Sequence, residues 1–277
     1  MLDEGRALVL GGGGVTGVAW EVGLVFGLAE LGVSLSGADG FVGTSAGAVV
    51  AAQLTSGAGL ERLYQDQVDG AGRELPGRIR VGGILGFMVA GAWAGDPARG
   101  RAWLGRAALR ATTVPESERR AVIGERLPSH DWPARPLLIP AVDAETGALT
   151  VFDASSGVPL VDAVAAGCAV PTVWAPVSIG GRRYIDGGVR SVANADLAAG
   201  CARLVVITPR LAAIRRRDRP DVQAAALRVP FTTIGPDREA LSGMGRDSMS
   251  IAHRSEAAKA GREQAARVVE QVREAWG

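Results

Sequence analysis

"GFVGTSAGAVVAAQ", Gly40–Gln53, decides how the chain is read. A short apolar run, Phe41 and Val42, stops at Gly43. Ser45 and Gly47 follow, and beyond them the residues are small and helix-compatible. A Gly-x-Ser-x-Gly turn between a strand and a helix lifts a serine hydroxyl out of its backbone, as in a nucleophile elbow. The same letters fit a plain glycine-rich turn in a chain where Gly, Ala and Ser abound, so the surroundings must arbitrate.

Upstream, Ala7–Leu10 reads as a short strand. The loop "GGGGVTG", Gly11–Gly17, leads into a helix over Val15–Leu31 that Gly32 ends. Ala38–Gly43 is a second strand and Ala46–Thr55 a second helix, ended by Gly57. This alternation implies a parallel sheet with helices on its faces. Residues about 60–133 are helical and rich in Arg and Gly. They are read as a helical insertion over the core, with ordinary outer-layer helices as the alternative.

Strands resume at Pro136–Val142 and Ala148–Phe152, and Leu160–Cys168 is a helix. "VSIGGRRYIDGG" is a hairpin turning at Gly180-Gly181. Leu204–Thr208 is a late core strand, and residues about 210–277 are C-terminal helices. The last helix, His253–Trp276, carries Ala258, Ala265, Val269, Val272 and Trp276 as a buried stripe. The expectation is one domain over 1–277, of α/β class, with three α/β/α layers and a mainly parallel sheet.

Composition narrows the function. The 277 residues are 47% hydrophobic with a net charge of +1, which argues against a dedicated nucleic-acid binder. Cys168 and Cys201 sit in apolar surroundings with neither metal nor disulfide spacing. With only His130 and His253 present, no His/Cys metal cluster can be assembled, and no metal or organic cofactor is expected. The apolar run Ala7–Leu10 is too short for a signal peptide, and Arg6 is balanced by Asp3 and Glu4. No uncharged apolar stretch reaches the ~18 residues that suggest a membrane span; Val81–Gly95 comes closest and is short and glycine-broken. Together these features point to a soluble, cytoplasmic protein.

A serine nucleophile needs a base and donors for an oxyanion. The Gly11–Gly17 loop can turn backbone N–H groups toward a developing negative charge at a helix N-terminus. It also matches the G-x-G-x-x-G dinucleotide fingerprint. That reading wants a carboxylate at the end of the second strand; "FVGTSAG" has none, and Asp39 lies at the wrong, leading end. For the base, His253 fits the order Ser…Asp…His but lies in a charged helix start. Asp186, in "RRYIDGGV", closes a strand and is followed by Gly187 and Gly188. A partly dry site would raise its pKa and make it a better base. Taken alone, Asp-Gly-Gly is a turn.

Taken in order, the glycine loop, Gly43-x-Ser45-x-Gly47 and Asp186-Gly187-Gly188 resemble the motifs of the patatin-like phospholipase family. The likeness extends through "DAVAAGCAVPTVWAPVSIGGRRYIDGG" and covers roughly Leu8–Thr208. The resemblance implies a patatin-like fold and hydrolysis of lipid or (lyso)phospholipid acyl esters. It puts Ser45 on the nucleophile, Asp186 on the base of a Ser–Asp dyad, and Gly12, Gly13 and Gly14 on the oxyanion hole. Gly17, Gly43, Gly47, Gly187 and Gly188 support those motifs. Thr16 stands where the family usually has Arg or Lys. The partners expected are a lipid or acyl-ester substrate and, transiently, a membrane surface met through the Arg215–Arg219 loop or Val81–Gly95. The rivals are an esterase using His253, a dinucleotide-binding protein, and a catalytically silent acyl-binding or interaction module.

Overall fold

The computed structural model describes residues 4–77 and 81–277; Asp3 and residues 78–80 of the expected insertion lie outside them. The first half runs β1 (Arg6–Leu10), α1 (Gly14–Glu30), β2 (Gly40–Gly43), α2 (Ala46–Thr55), α3 (Leu60–Val68), α4 (Val81–Ala92), α5 (Pro97–Arg110) and α6 (Glu116–Arg126). The second runs β3 (Leu137–Asp143), β4 (Leu149–Phe152), α7 (Leu160–Gly167), β5 (Val177–Ile179), β6 (Arg182–Asp186), β7 (Arg203–Ile207), α8 (Pro220–Ala226), β8 (Phe231–Ile234), α9 (Arg238–Met244) and α10 (Arg254–Trp276).

These strands form one mixed sheet in the order β5-β6-β3-β2-β1-β7-β8, with β4 paired to β3. The middle is parallel: β2 and β7 flank β1, β3 lies beside β2, and β8 beside β7. One edge is antiparallel, through β3–β4, β3–β6 and β5–β6. Leu8, Val9, Leu10, Val205, Val206 and Ile207 are fully buried. Strands covered on both faces lose the in/out alternation and read as continuous apolar runs, as these do.

Helix α1 is apolar almost all round and buried along most of its length. It packs against α10 at glycine contacts: a Cβ on Gly261 would lie 2.3 Å from the Trp20 carbonyl oxygen. Trp20 Nε1 donates to Gln264 Oε1 across this contact at 2.9 Å. The buried stripe expected on α10 is present, with Ala258, Ala265, Val272 and Trp276 buried and Val269 half-buried.

Two features differ from the sequence reading. The segment 210–277, expected as helices, also contributes β8 at the sheet edge. "FTTI" is short and follows Pro230, so its pairing with β7 identifies it as a strand where its own pattern does not. The basic Arg215–Arg219 loop contains a single turn of 3-10 helix at Arg216–Asp218.

Candidate active site

The chain leaves β2 at Gly43 and enters α2 at Ala46, with Ser45 at φ 54° and ψ −116°. A non-glycine residue at positive φ is sterically disfavoured and persists only where its surroundings hold it. Here Thr44 N–H donates to the Leu10 carbonyl at 2.9 Å, and Gly47 N–H to those of Gly11 and Thr44, both at 2.9 Å. The Cys168 thiol donates to the Ser45 carbonyl at 3.1 Å. Gly47 has no room for a side chain, since a Cβ would fall 2.2 Å from the Leu10 carbonyl oxygen. At Gly43 a Cβ would fall 2.6 Å from Ala48 Cα.

Asp186 ends β6, opposite Ala141 of β3, two strands from the β2 end that leads to Ser45. Both side chains are buried, Asp186 to 3% and Ser45 to 8% exposure. Burial pushes the Asp186 carboxyl up to about 6, against the opposing pull of the Ser45 hydroxyl, Gly188 N–H and the Arg119 charge. Gly188 N–H donates to Oδ1 at 2.7 Å. The Ser45 hydroxyl approaches the carboxyl closely enough to lower its pKa, though short of well-formed hydrogen-bond geometry. Gly187 lets the strand end pass β3, because a Cβ there would meet the Pro140 carbonyl oxygen at 2.3 Å.

The glycine loop lies over the same place, with Gly12 Cα facing Ser45: a Cβ on Gly12 would sit 3.4 Å from Ser45 Cβ. Its three glycines differ as donors. Gly12 N–H is already engaged, donating to the Val192 carbonyl at 2.7 Å. The N–H groups of Gly13 and Gly14 have no acceptor among the described residues. Gly17 N–H closes the loop onto the Gly13 carbonyl at 3.0 Å. Ala46 N–H, just after Ser45, likewise has no acceptor among the described residues. Its position is one from which an elbow donates to an oxyanion, and the sequence reading missed it.

Three further residues escaped the sequence reading. Glu21 is fully buried on α1, and its Oε1 accepts Gly11 N–H at 3.0 Å. Burial raises its pKa well above the usual carboxylate range, and its hydrogen bond from Gly11 N–H anchors the loop. A lone carboxyl in the middle of an apolar helix was the available signal. Asn194 is fully buried at φ 51° and ties Thr44 to Gly187. Its "SVANAD" context looks like any loop. Arg119 of α6 is 6% exposed, stacks over Trp174 at 4.3 Å and has no partner for Nε or Nη1 among the described residues. Burial, then repulsion from Arg126, lowers its pKa to about 10, and its charge favours ionised Asp186.

The other candidates are elsewhere. His253 is exposed and pairs through Nδ1 with Ser250 Oγ at 2.9 Å, and His130 Nε2 lies 2.9 Å from the Gly124 carbonyl. Asp39 accepts Arg6 N–H at 2.8 Å at the start of β2, the wrong end for a ribose. Thr16 is buried, and its hydroxyl has no partner among the described residues. No group of three or more His, Cys, Asp or Glu is placed to hold a metal among the described residues. A cavity of about 170 Å³ runs beside the first turns of α1 and α2, lined by Val15, Val18, Val49, Gln53, Leu63 and Arg126 among others.

The constellation can be compared with known proteins. Two crystal structures are similar to the chain at low identity. VipD from Legionella pneumophila is 13% identical with a TM-score of 0.48, over 97% of this chain and 67% of that one. The type III effector ExoU is 18% identical with a TM-score of 0.40, over 96% of this chain and 53% of ExoU, so the chain spans about half its length. No curated protein matches. The sequence profile described as "Patatin-like phospholipase" matches residues 8–199, a span that holds the glycine loop, the Ser45 elbow and Asp186. This chain therefore belongs to the patatin-like phospholipase family, whose members are lipid acyl hydrolases.

Proposed function

We propose that the protein hydrolyses an acyl ester of a lipid or lysophospholipid, with Ser45 as nucleophile and Asp186 as its base. The observation that carries this reading is the strained Ser45 turn set against a buried carboxyl that titrates near neutrality. A carboxylate with its pKa raised to about 6 is a far stronger base than one in water, yet is ionised at pH 7.

As Ser45 Oγ attacks the ester carbonyl, its proton passes to Asp186. The carbonyl oxygen becomes an oxyanion facing Gly13 and Gly14 N–H, with Ala46 N–H as a third donor; Gly12 shapes the hole without donating. Collapse of the tetrahedral species breaks the C–O bond, and the leaving alcohol takes the proton from Asp186. Water then attacks the acyl-serine, giving its proton to the same carboxylate, and the fatty acid leaves as Ser45 recovers the proton. No cofactor enters these steps. Transient contact with a membrane surface and a cytoplasmic place of work belong to the same proposal. The two free, buried thiols fit a reducing compartment.

A fluorophosphonate probe tests it directly. Parent protein should be labelled at Ser45 and Ser45→Ala should not. Asp186→Asn should be labelled at least ~100-fold more slowly, the scale of losing a general base. Failure of the parent to label or to turn over any acyl ester would leave the silent acyl-binding module as the better reading.

A further inference from the structure

The two stretches that the sequence offered separately as lipid contacts are neighbours in the fold. Arg215 Nε donates to the Gly91 carbonyl at 2.8 Å, and its Nη2 to that of Trp93. Ile214 packs on Gly91 so closely that a Cβ there would lie 2.4 Å from its Cδ1. The 210–219 loop is thus stitched to the C-terminal end of α4. Helix α5 packs on α4 through glycines too, since a Cβ on Gly100 would meet the Ala90 carbonyl oxygen at 2.5 Å.

This assembly exposes apolar side chains that a protein in water would bury. Leu85, Met88 and Val89 on α4 are 58%, 56% and 38% exposed, and Ile214 beside them is 54% exposed. The spacing 85, 88, 89 puts the three on one helix face. Of the ten large apolar side chains that are exposed among the described residues, six belong to this assembly: these four, Trp103 on α5 and Leu211 in the loop. A contiguous patch of this kind marks an interaction surface.

Charge decides the partner. Residues 81–110 and 210–219 carry nine arginines against two aspartates, Asp96 and Asp218, with no lysine or glutamate, while the whole chain nets only +1. On α5, Arg99, Trp103, Arg106 and Arg110 recur at helical spacing and are all exposed. An apolar patch bordered by arginines and a tryptophan fits the interface of a membrane with negative head groups. Helix α4 also packs against the turn at Gly187–Val189, directly after Asp186, so the patch borders the candidate site.

We infer that α4, the outer face of α5 and the 210–219 loop form one surface that docks on an anionic lipid bilayer and presents the Ser45–Asp186 site to it. The inference rests on the hydrolase reading only for what happens after docking; docking itself is measurable without turnover.

The experiment uses the Ser45→Ala protein, so that vesicles are not consumed, and sedimentation with phosphatidylcholine vesicles with or without phosphatidylserine. Binding should be strong only with phosphatidylserine and should weaken with added salt. Replacing Arg99, Arg106 and Arg216 together by Gln should lower partitioning on the order of 100-fold, at the usual strength of a basic side chain near an anionic surface. Leu85→Ser with Met88→Ser should weaken binding while leaving the thermal melt unchanged. In the Ser45-intact background the same surface variants should keep normal turnover of a soluble monomeric ester and lose it on anionic vesicles. Equal binding to both vesicle types, or parent-like binding by the arginine variant, overturns the inference and leaves the arginines as a solvated face. Absence of turnover on every ester with vesicle binding intact overturns the hydrolase reading alone.

Discussion

Asn194 Nδ2 donates to Thr44 Oγ1 at 3.1 Å, and the same nitrogen reaches the Gly187 carbonyl at 3.3 Å and the Ser191 carbonyl at 2.8 Å. Thr44 precedes Ser45, and Gly187 follows Asp186. One buried amide therefore fixes the spacing of two residues that lie 141 positions apart in the chain. Thr44 Oγ1 in turn donates a hydrogen bond to the Ala193 carbonyl at 3.0 Å, so the hydroxyl is held in both roles.

This link predicts a split between structure and turnover. Asn194 is left-handed, where Gly is comfortable and Ala is strained by roughly 1 kcal/mol. Asn194→Gly and Asn194→Ala should lose turnover alike, about 10–100-fold in kcat with KM little changed, on the scale of a 1 Å misplacement. Asn194→Ala should also melt lower. Normal kcat in Asn194→Gly would show that the amide positions nothing.

The Asp186 carboxyl predicts two pH effects of opposite value to the protein. With Asp186 as the proposed base, turnover should fall as pH drops through about 6, where its carboxyl protonates. Stability runs the other way. A carboxyl whose folded pKa is raised above its unfolded value of ~3.9 stabilises the fold below pH 4 and loses that contribution as pH rises through 6. Asp186→Asn should therefore be inactive yet more stable than the parent above pH 7, by up to ~3 kcal/mol, with the gap closing toward pH 4. Thermal melts of both proteins from pH 4 to 8 measure it, and a constant gap would contradict the burial argument.

Arg119 supports ionisation of Asp186 through its charge. Arg119→Met should shift the acid limb of the pH–rate profile upward, whereas Arg119→Lys should hold it nearer the parent. A profile unmoved by Arg119→Met would reduce the arginine to packing against Trp174.

Two glycine substitutions should separate folding from chemistry. A methyl on Gly12 meets nothing closer than Ser45 Cβ at 3.4 Å, so Gly12→Ala should fold normally. Its methyl nevertheless occupies the space beside Ser45, and kcat should fall at least ~10-fold, in keeping with the cost of disturbed geometry. Gly47→Ala places its methyl 2.2 Å from the Leu10 carbonyl oxygen and should fail to give a stable protein. Circular dichroism and soluble-ester kinetics on the pair would decide, and full activity in Gly12→Ala would move the reacting carbonyl away from this loop.

Glu21 should act through the hydrogen bond that it accepts from Gly11 N–H. Glu21→Gln keeps an acceptor for Gly11 N–H and should preserve turnover, while removing the loss of stability that a buried acid suffers as pH rises through its elevated pKa. Glu21→Ala leaves a void and weakens the loop anchor, with an expected cost of ~2 kcal/mol or more. Hydrogen exchange at Gly11 and a urea melt would show both effects.

The sequence by itself determined what is local and what is repeated. Apolar runs as short as Ala7–Leu10 and Phe41–Val42, each followed by glycines and a helix, specify strand, turn and helix because backbone sterics act over a few residues. The Gly180-Gly181 hairpin is equally local, with both glycines at positive φ. The motif residues Ser45, Asp186 and the loop glycines were legible for the same reason. Tertiary structure decided what depends on contacts between distant segments. "FTTI" becomes a strand only because β7 offers it partners. Of the three loop glycines, only the position of Val192 decides that Gly12 has spent its N–H. Asn194, Glu21 and Arg119 take their roles from burial beside residues far away in sequence, and burial sets how much a polar group's partners matter. The joining of Arg215 to α4, which turns two unconnected stretches into one surface, is likewise a fact of packing that no local pattern encodes.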